Sequence, residues 1–144
     1  MKIQIPAIRV SSNKFMEVGF DADGWMEVPK SASVVAWFTG SPSPGELGPS
    51  IIVGHVDMNG KPGIFFNLKL LKKGDLIRVT RADGKIVKFS VTKTKSYLKA
   101  DFPHDVVYGD IDHAGLRLIT CGGVFDRKAK HYLSNVIVFA KMIA

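Results

Sequence analysis

Residues 116–123 read Leu-Arg-Leu-Ile-Thr-Cys-Gly-Gly, an apolar run that carries the only cysteine of the chain to the point where a strand would end. Short apolar runs of this kind predict a buried strand. A lone cysteine in such a run is, by itself, most often a small buried hydrophobe. The two glycines after Cys121, however, let a substrate backbone approach closely. We therefore interpret this run as an active-site strand that presents a reachable thiol.

Several other segments of the chain also have the sequence pattern of strands. Asp83-Gly84 between two alternating runs predicts an antiparallel hairpin, because glycine tolerates positive φ. Thr92–Leu98 is expected to extend the second strand of this hairpin, and other strands are expected at Lys2–Ile8 (an edge strand), Val34–Phe38, Ser50–His55 and Ser134–Ile143. Only short helical turns are expected, within 62–71 and 103–108. The pattern predicts a mostly-β, closed or nearly closed barrel.

Size and charge limit the function classes. A chain of 144 residues with 46% hydrophobic content fits one domain, residues 1–144. The net charge of +7 favours anionic partners, but the basic residues alternate with apolar ones, which indicates solvated strand faces. One cysteine excludes an internal disulfide, and neither a signal peptide nor an apolar run of about 18 residues is present.

A thiol nucleophile needs a proton-exchanging partner and a donor for the oxyanion. His55 ends an apolar run beside Gly54, and from the residues alone it is equally a catalytic base or a core histidine. Asp57 is a weak candidate for orienting the imidazole, since the chain can already be turning there. Arg127 could reach back over the thiol from a loop, or pair with Asp126 on the surface.

Taken together, these motifs resemble those of sortases, the cysteine transpeptidases of Gram-positive surfaces. The resemblance rests first on Gly54-His55-Val56-Asp57 and Leu118-Ile119-Thr120-Cys121-Gly122-Gly123. Further segments resemble the class F sortases of actinobacteria and extend the likeness over nearly the whole chain: Ile5-Pro6-Ala7-Ile8, Trp37-Phe38-Thr39-Gly40, Pro44-Gly45, Gly48-Pro49-Ser50-Ile51, Phe125-Asp126-Arg127 and Tyr132-Leu133-Ser134-Asn135-Val136.

The resemblance implies a closed eight-stranded sortase-type barrel and a Cys-His-Arg site in a single catalytic domain. Cys121 would attack the threonine carbonyl of an LPxTG-like sorting signal and form a thioacyl intermediate, while His55 would protonate the leaving amine. The acyl group would then pass to an amine acceptor in peptidoglycan or a pilin. The family also implies the outer face of a Gram-positive membrane and a full-length form with an N-terminal anchor, which this sequence lacks.

The arginine is where the chain departs from the pattern. Alignment with the better-known classes puts Asn135 where their arginine opens the last strand, so Arg127 is assigned as the third catalytic group and Lys130 as a weaker substitute. Thr120, Gly122 and Asn135 are assigned to substrate binding. No cofactor and no metal site are expected, because the loosely spaced acidic residues Asp101, Asp105, Asp110 and Asp112 fit a plain acidic loop better than a calcium site.

Two alternatives stay open. An L,D-transpeptidase is another Cys-His acyl transferase built on β-structure, but its signature places glycine before the cysteine, whereas Gly122 follows Cys121 here. A basic β-barrel that binds nucleic acid would use scattered lysines and the nine phenylalanines. Most of those phenylalanines lie in apolar patterns typical of a core, so no nucleic-acid partner is expected.

Overall fold

β-strands dominate the computed structural model, which describes residues 1–20, 22, 27–29, 31–58, 60–126 and 131–143. For residues 58, 99, 121–126 and 131–133 it describes the backbone alone. The strands in these ranges are β1 (Lys2–Ile5), β2 (Val10–Ser12), β3 (Phe15–Val18), β4 (Val35–Phe38), β5 (Gly48–Val53), β6 (Asp57–Met58), β7 (Lys61–Pro62), β8 (Leu76–Thr80), β9 (Ile86–Leu98), β10 (Ala114–Asp126) and β11 (His131–Ile143). The helical segments are α1 (His104–Tyr108) and 3-10 turns at Pro6–Ile8, Leu68–Leu70 and Lys99–Asp101.

Nine of the described strands form one sheet in the order β2-β1-β8-β9-β11-β10-β5-β4-β3. The two outermost strands, β2 and β3, are separated in sequence by Asn13 and Lys14 alone. The two edges of the sheet must therefore lie close together, which rolls the sheet into a nearly closed barrel. The predicted mostly-β barrel with short helical turns is confirmed, with nine strands in place of eight.

The first part of the chain explains the difference in strand count. Pro6 has no backbone N–H to donate and a fixed φ, so β1 ends before it and a 3-10 turn follows. Arg9 then adopts a left-handed conformation with φ of 55°, and the chain doubles back as β2. The expectation of an edge strand over Lys2–Ile8 is wrong, because β1 pairs with β2 on one side and β8 on the other.

The predicted hairpin is formed by β8 and β9, which pair antiparallel. Gly84 has φ of +86° in the connecting turn, a conformation that costs glycine little. The turn is closed by a hydrogen bond of 3.0 Å from the Gly84 N–H to the Arg81 carbonyl. Asp83 accepts a further bond from the Lys85 N–H at 3.1 Å. Local turn chemistry therefore fixes this part of the sheet.

Alternation along the central strands divides the core into two clusters. On β10, Leu116 and Leu118 face the barrel interior and join one cluster, whereas Ile119 joins a second cluster on the other face. All six residues of β5 are buried, because this strand is covered on both faces. The helix α1 contributes Val107 to the second cluster. The strand pair β5 and β10 is therefore held rigidly between two apolar layers.

Candidate active site

The parallel pairing of β5 with β10 brings the histidine and cysteine positions together. The register pairs Val53 with Ile119, and the Gly54 N–H donates to the Ile119 carbonyl at 3.2 Å, which continues the pairing beyond β5. His55 and Cys121 each lie two residues beyond this last pair, so an extension of the same register by two residues would set them opposite each other. Neighbouring strands lie about 4.8 Å apart. The two predicted residues therefore lie just beyond the paired parts of β5 and β10, on the same side of that pairing.

A tight turn after β5 fixes the backbone of His55. The His55 carbonyl accepts from the Phe65 N–H at 3.0 Å, and the Val56 carbonyl accepts from the Gly63 N–H at 2.7 Å. The small hairpin of β6 and β7 lies in the sequence between Val56 and Gly63. A Cβ atom on Gly63 would lie 2.3 Å from the His55 carbonyl oxygen, so only glycine allows this approach. Asp57 lies in β6, where the chain has already turned.

The His55 side chain is half-buried and is bound by a segment that sequence reasoning did not assign to the site. Its Nε2 is hydrogen-bonded to the carbonyl oxygen of Pro29. Pro29 is buried, although the two residues before it are exposed. The partners are 26 residues apart, and a backbone carbonyl is common to every residue type. For these reasons no sequence signal could have identified the contact.

Cys121 lies on β10, a strand that has a neighbouring strand on each side. In the register of β10 with β11, Cys121 pairs with Asn135 and Gly122 pairs with Ser134. Asn135 in turn pairs with Tyr97 on β9. Asn135 is half-buried. The register therefore places one of the predicted substrate-binding residues directly beside the cysteine.

Of the other predicted site residues, Thr120 and Gly122 lie in the described part of the chain. Thr120 pairs with Val136 and is 3% exposed. Its side chain is therefore almost wholly inside the protein. Gly122 is described by its backbone, and the register of β10 with β11 shifts directly after it, between Gly122 and Phe125. Arg127 and Lys130 lie outside the described residues, so the assignment of the third catalytic group stays a prediction.

An aromatic cluster around α1 covers the second core cluster on the face of the sheet that carries Arg117 and Ile119. The ring of Tyr108 lies 6.3 Å from that of Phe38 and 6.1 Å from that of Phe102. Phe102 also packs edge-on against His104 at 4.9 Å. Burial raises the pKa of the Tyr108 hydroxyl, because the anion would lose its solvation. The rings fix α1 against the sheet.

Arg117 is a buried cation beneath this helix, with 6% of its surface exposed. Its guanidinium donates to the carbonyls of Leu116 at 3.3 Å and Val106 at 3.5 Å and lies 4.8 Å from the centre of the Phe139 ring. Its Nε has no hydrogen-bond partner among the described residues. Burial lowers the pKa of Arg117 for the same reason that it raises that of Tyr108.

Within the described part of the chain, no group of three or more His, Cys, Asp or Glu residues is placed to hold a metal ion. None of the helices described is both long and apolar enough to cross a bilayer.

Comparisons with known proteins agree with this architecture. The family model of the sortase domain matches residues 3–143. A lid mutant of sortase A from Corynebacterium diphtheriae has a TM-score of 0.76 at 22% identity, covering 99% of this chain and 69% of that chain. Sortase C-1 from Actinomyces oris has a TM-score of 0.74 at 22% identity, covering 99% and 73%.

A third structure, Clostridium perfringens sortase C with the C-terminal cell wall sorting motif, has a TM-score of 0.71 at 17% identity, covering 99% of this chain and 69% of that chain. These likenesses show a shared fold. No curated protein sequence matches the chain significantly.

Proposed function

The chain belongs to the sortase family, whose model spans residues 3–143, and on this premise we propose that it is a cysteine transpeptidase. Its substrate is an LPxTG-like sorting signal, and its acceptor is an amine of peptidoglycan or a pilin. The observation that supports the proposal is the parallel pairing of β5 with β10, whose register ends at Val53 and Ile119, two residues before His55 and Cys121 respectively. A nucleophile and its proton-exchanging partner must lie close to each other to act together.

The proposed reaction has two halves. The Cys121 thiolate attacks the threonine carbonyl carbon and a C–S bond forms. The C–N bond to the next residue then breaks, and the leaving amine takes a proton from His55. In the second half, an incoming amine loses its proton to His55 and attacks the thioacyl carbon. A new amide forms and the thiolate leaves, so the thiolate and the imidazolium are both regenerated without a cofactor or metal.

The residues around the thiol are assigned to the substrate. Asn135, half-buried and paired with Cys121, is proposed to bind the peptide by hydrogen bonds, and Gly122 to let its backbone pass close to the strand. Because the Thr120 side chain is buried, its contact with the peptide would be made by the backbone. Arg127, or Lys130 in its place, is proposed to stabilise the oxyanion by charge-assisted hydrogen bonds.

The biological setting follows from the same family. We propose class F membership, a full-length form anchored in the membrane, and action at the outer surface of a Gram-positive cell. The relative from Clostridium perfringens determined with a cell wall sorting motif supports a peptide of this type as substrate. The sortase model favours this function over an L,D-transpeptidase or a nucleic-acid-binding barrel.

A peptide-ligation assay tests the proposal. The protein is incubated with a panel of LPxTG-type peptides and an amine acceptor, and mass spectrometry follows both the acyl adduct on the protein and the ligated product. Because the chain has one cysteine, a thioester adduct can be assigned to Cys121 without ambiguity. We expect adduct and product with the unmodified chain, and neither with Cys121→Ala.

A second variant separates the roles of the two residues. His55→Ala is expected to lower turnover at least about 100-fold, since general acid–base catalysis contributes that much. A folded protein that forms no adduct with any peptide of the panel would contradict the proposed function.

A further inference from the structure

The bond between His55 and Pro29 determines which imidazole nitrogen exchanges protons. A backbone carbonyl oxygen can only accept a hydrogen bond. The Nε2 of His55 must therefore carry a hydrogen whenever this bond exists, in the neutral ring as well as in the imidazolium. Nδ1 is then the nitrogen that gains and loses a proton. The contact thus selects one tautomer and restricts rotation of the ring.

Pro29 belongs to the connection between β3 and β4, which is bound to the rest of the protein on both sides of this residue. Glu27 makes two bonds to Gly19, directly after β3: its N–H donates to the Gly19 carbonyl at 2.8 Å, and its Oε1 accepts from the Gly19 N–H at 3.1 Å. On the other side, the Ala32 carbonyl accepts from the Ile64 N–H at 2.8 Å.

These bonds connect the segment to the structure that carries His55. Ile64 lies between Gly63 and Phe65, whose N–H groups donate to the carbonyls of Val56 and His55 respectively. The position of the Pro29 carbonyl is therefore set relative to both β3 and the His55 turn. Because Glu27 is exposed, its side chain contributes this bond to Gly19 without being part of the core.

We propose that Glu27 and Pro29 are positioning residues for the acid–base histidine, an inference that rests on the proposed transpeptidase function. The Pro29 carbonyl holds the Nε2–H of His55, which leaves Nδ1 as the nitrogen that protonates the leaving amine and deprotonates the incoming one. Glu27 holds Pro29 in place through Gly19. A misplaced catalytic group slows the chemical step more than it weakens substrate binding.

The first test is the tautomer of His55, measured on the full chain by two-bond nitrogen–proton correlation NMR of the imidazole. His55→Gln assigns the signals among the four histidines. We expect the Nε2–H tautomer in the unmodified chain and in Glu27→Gln, which keeps a side-chain oxygen for the Gly19 N–H. Glu27→Ala is expected to give a mixture of tautomers. An Nδ1–H tautomer in the unmodified chain would overturn the proposal.

The second test is kinetic. We expect Glu27→Ala to lower kcat at least about tenfold with KM changed less than about twofold, and Glu27→Gln to restore most of the rate. Glu46→Ala, an exposed glutamate in another loop, is the matched control and is expected to keep full activity. An unchanged kcat in Glu27→Ala would contradict the positioning role, and a raised kcat would show that the contact inhibits the histidine.

The two tests also separate this inference from the proposed function. If the unmodified chain forms no acyl adduct, the transpeptidase proposal fails, whereas the tautomer measurement still decides whether Pro29 holds Nε2.

Discussion

At the scale of single residues, the candidate site combines residues whose type suggests a chemical role with residues whose type does not. His55 and Cys121 were predicted from sequence because each ends an apolar run beside glycine and because the chemistry requires a thiol and a base. Pro29 and Gly63 contact His55 through a backbone carbonyl and through the absence of a side chain, so these contacts can be recognised only in the folded chain.

Gly63→Ala is expected to damage the site directly. The added Cβ would lie 2.3 Å from the His55 carbonyl oxygen, so the turn must shift, at a cost of about 1–3 kcal/mol. We expect thioacyl formation to slow at least about tenfold, measured by rapid quench and mass spectrometry. Gly84→Ala is the matched control: no atom lies within 4 Å of its added Cβ, so it should lose about 1 kcal/mol of stability through backbone strain and keep its rate. Equal rates in the two variants would contradict the expected effect.

Arg127→Ala tests the assignment of the third catalytic group. If Arg127 stabilises the oxyanion, its loss should lower kcat by about 10²–10³-fold and leave the urea unfolding curve unchanged. Arg78→Ala on β8 serves as the control, because it removes the same charge from a strand that is distant in sheet order from β5 and β10. Near-normal turnover of the Arg127 variant would exclude this residue, and Lys130→Ala would then be measured.

At the scale of elements, local patterns were predicted well and long-range pairing was not. The hairpin of β8 and β9 follows from Asp83-Gly84, and α1 from the short apolar turn after Pro103. The parallel pairing of β5 with β10 joins segments far apart in the chain, and no local propensity specifies it. Sequence could therefore supply the two candidate residues, His55 and Cys121, whereas the pairing of the strands that lead to them is a property of the sheet.

Arg117→Met is expected to leave α1 in place and to keep or raise stability. Two bonds of 3.3 and 3.5 Å and the ring of Phe139 are the described contacts of the buried guanidinium, and removing its desolvation cost should raise the free energy of unfolding by up to about 2 kcal/mol. Urea unfolding measures it, with Arg78→Met as control. A loss of more than about 1 kcal/mol would show that the bonds of Arg117 to Val106 and Leu116 outweigh the desolvation cost.

The docking of α1 should weaken in alkaline solution. Since the folded-state pKa of Tyr108 is raised by burial, the folded state favours the neutral hydroxyl more than the unfolded state does. The associated stability is fully present below the unfolded pKa of about 10 and is lost as pH rises through the higher folded value. Unfolding followed between pH 8 and 11.5 should show a smaller alkaline decline for Tyr108→Phe than for Tyr97→Phe. Equal declines would show that Tyr108 does not contribute.

At the scale of the whole molecule, the barrel was predicted as a class but not as a strand order. Binary patterning indicated strands and the lack of long helical periods excluded bundles. The number of strands differed because Pro6 divides the first run and Arg9 turns the chain back on itself. The two edges of the sheet meet because β2 and β3 are consecutive in the chain. That these two strands form the edges is known only from the complete strand order.

Closure of the barrel is expected to depend on its packed interior more than on the short link between its edges. Inserting Gly-Gly between Asn13 and Lys14 lengthens a surface connection and should lower the free energy of unfolding by less than about 1 kcal/mol. Ile5→Ala removes a fully buried side chain and should cost about 2–5 kcal/mol. Both values are measured by urea unfolding. A larger loss for the insertion would show that the link itself holds the edges together.

The position of β10 between β5 and β11 also bears on how the protein is made. The segment that carries His55 leaves the ribosome long before β10, which carries Cys121. In the sheet, β10 has β5 on one side and β11 on the other. In a nascent chain, β10 therefore cannot have both of its neighbours in the sheet until residues beyond 131 have emerged. Such late, long-range closure is slow compared with the formation of local hairpins. The pairing of β10 with both of its neighbours is therefore completed only when synthesis has passed β11.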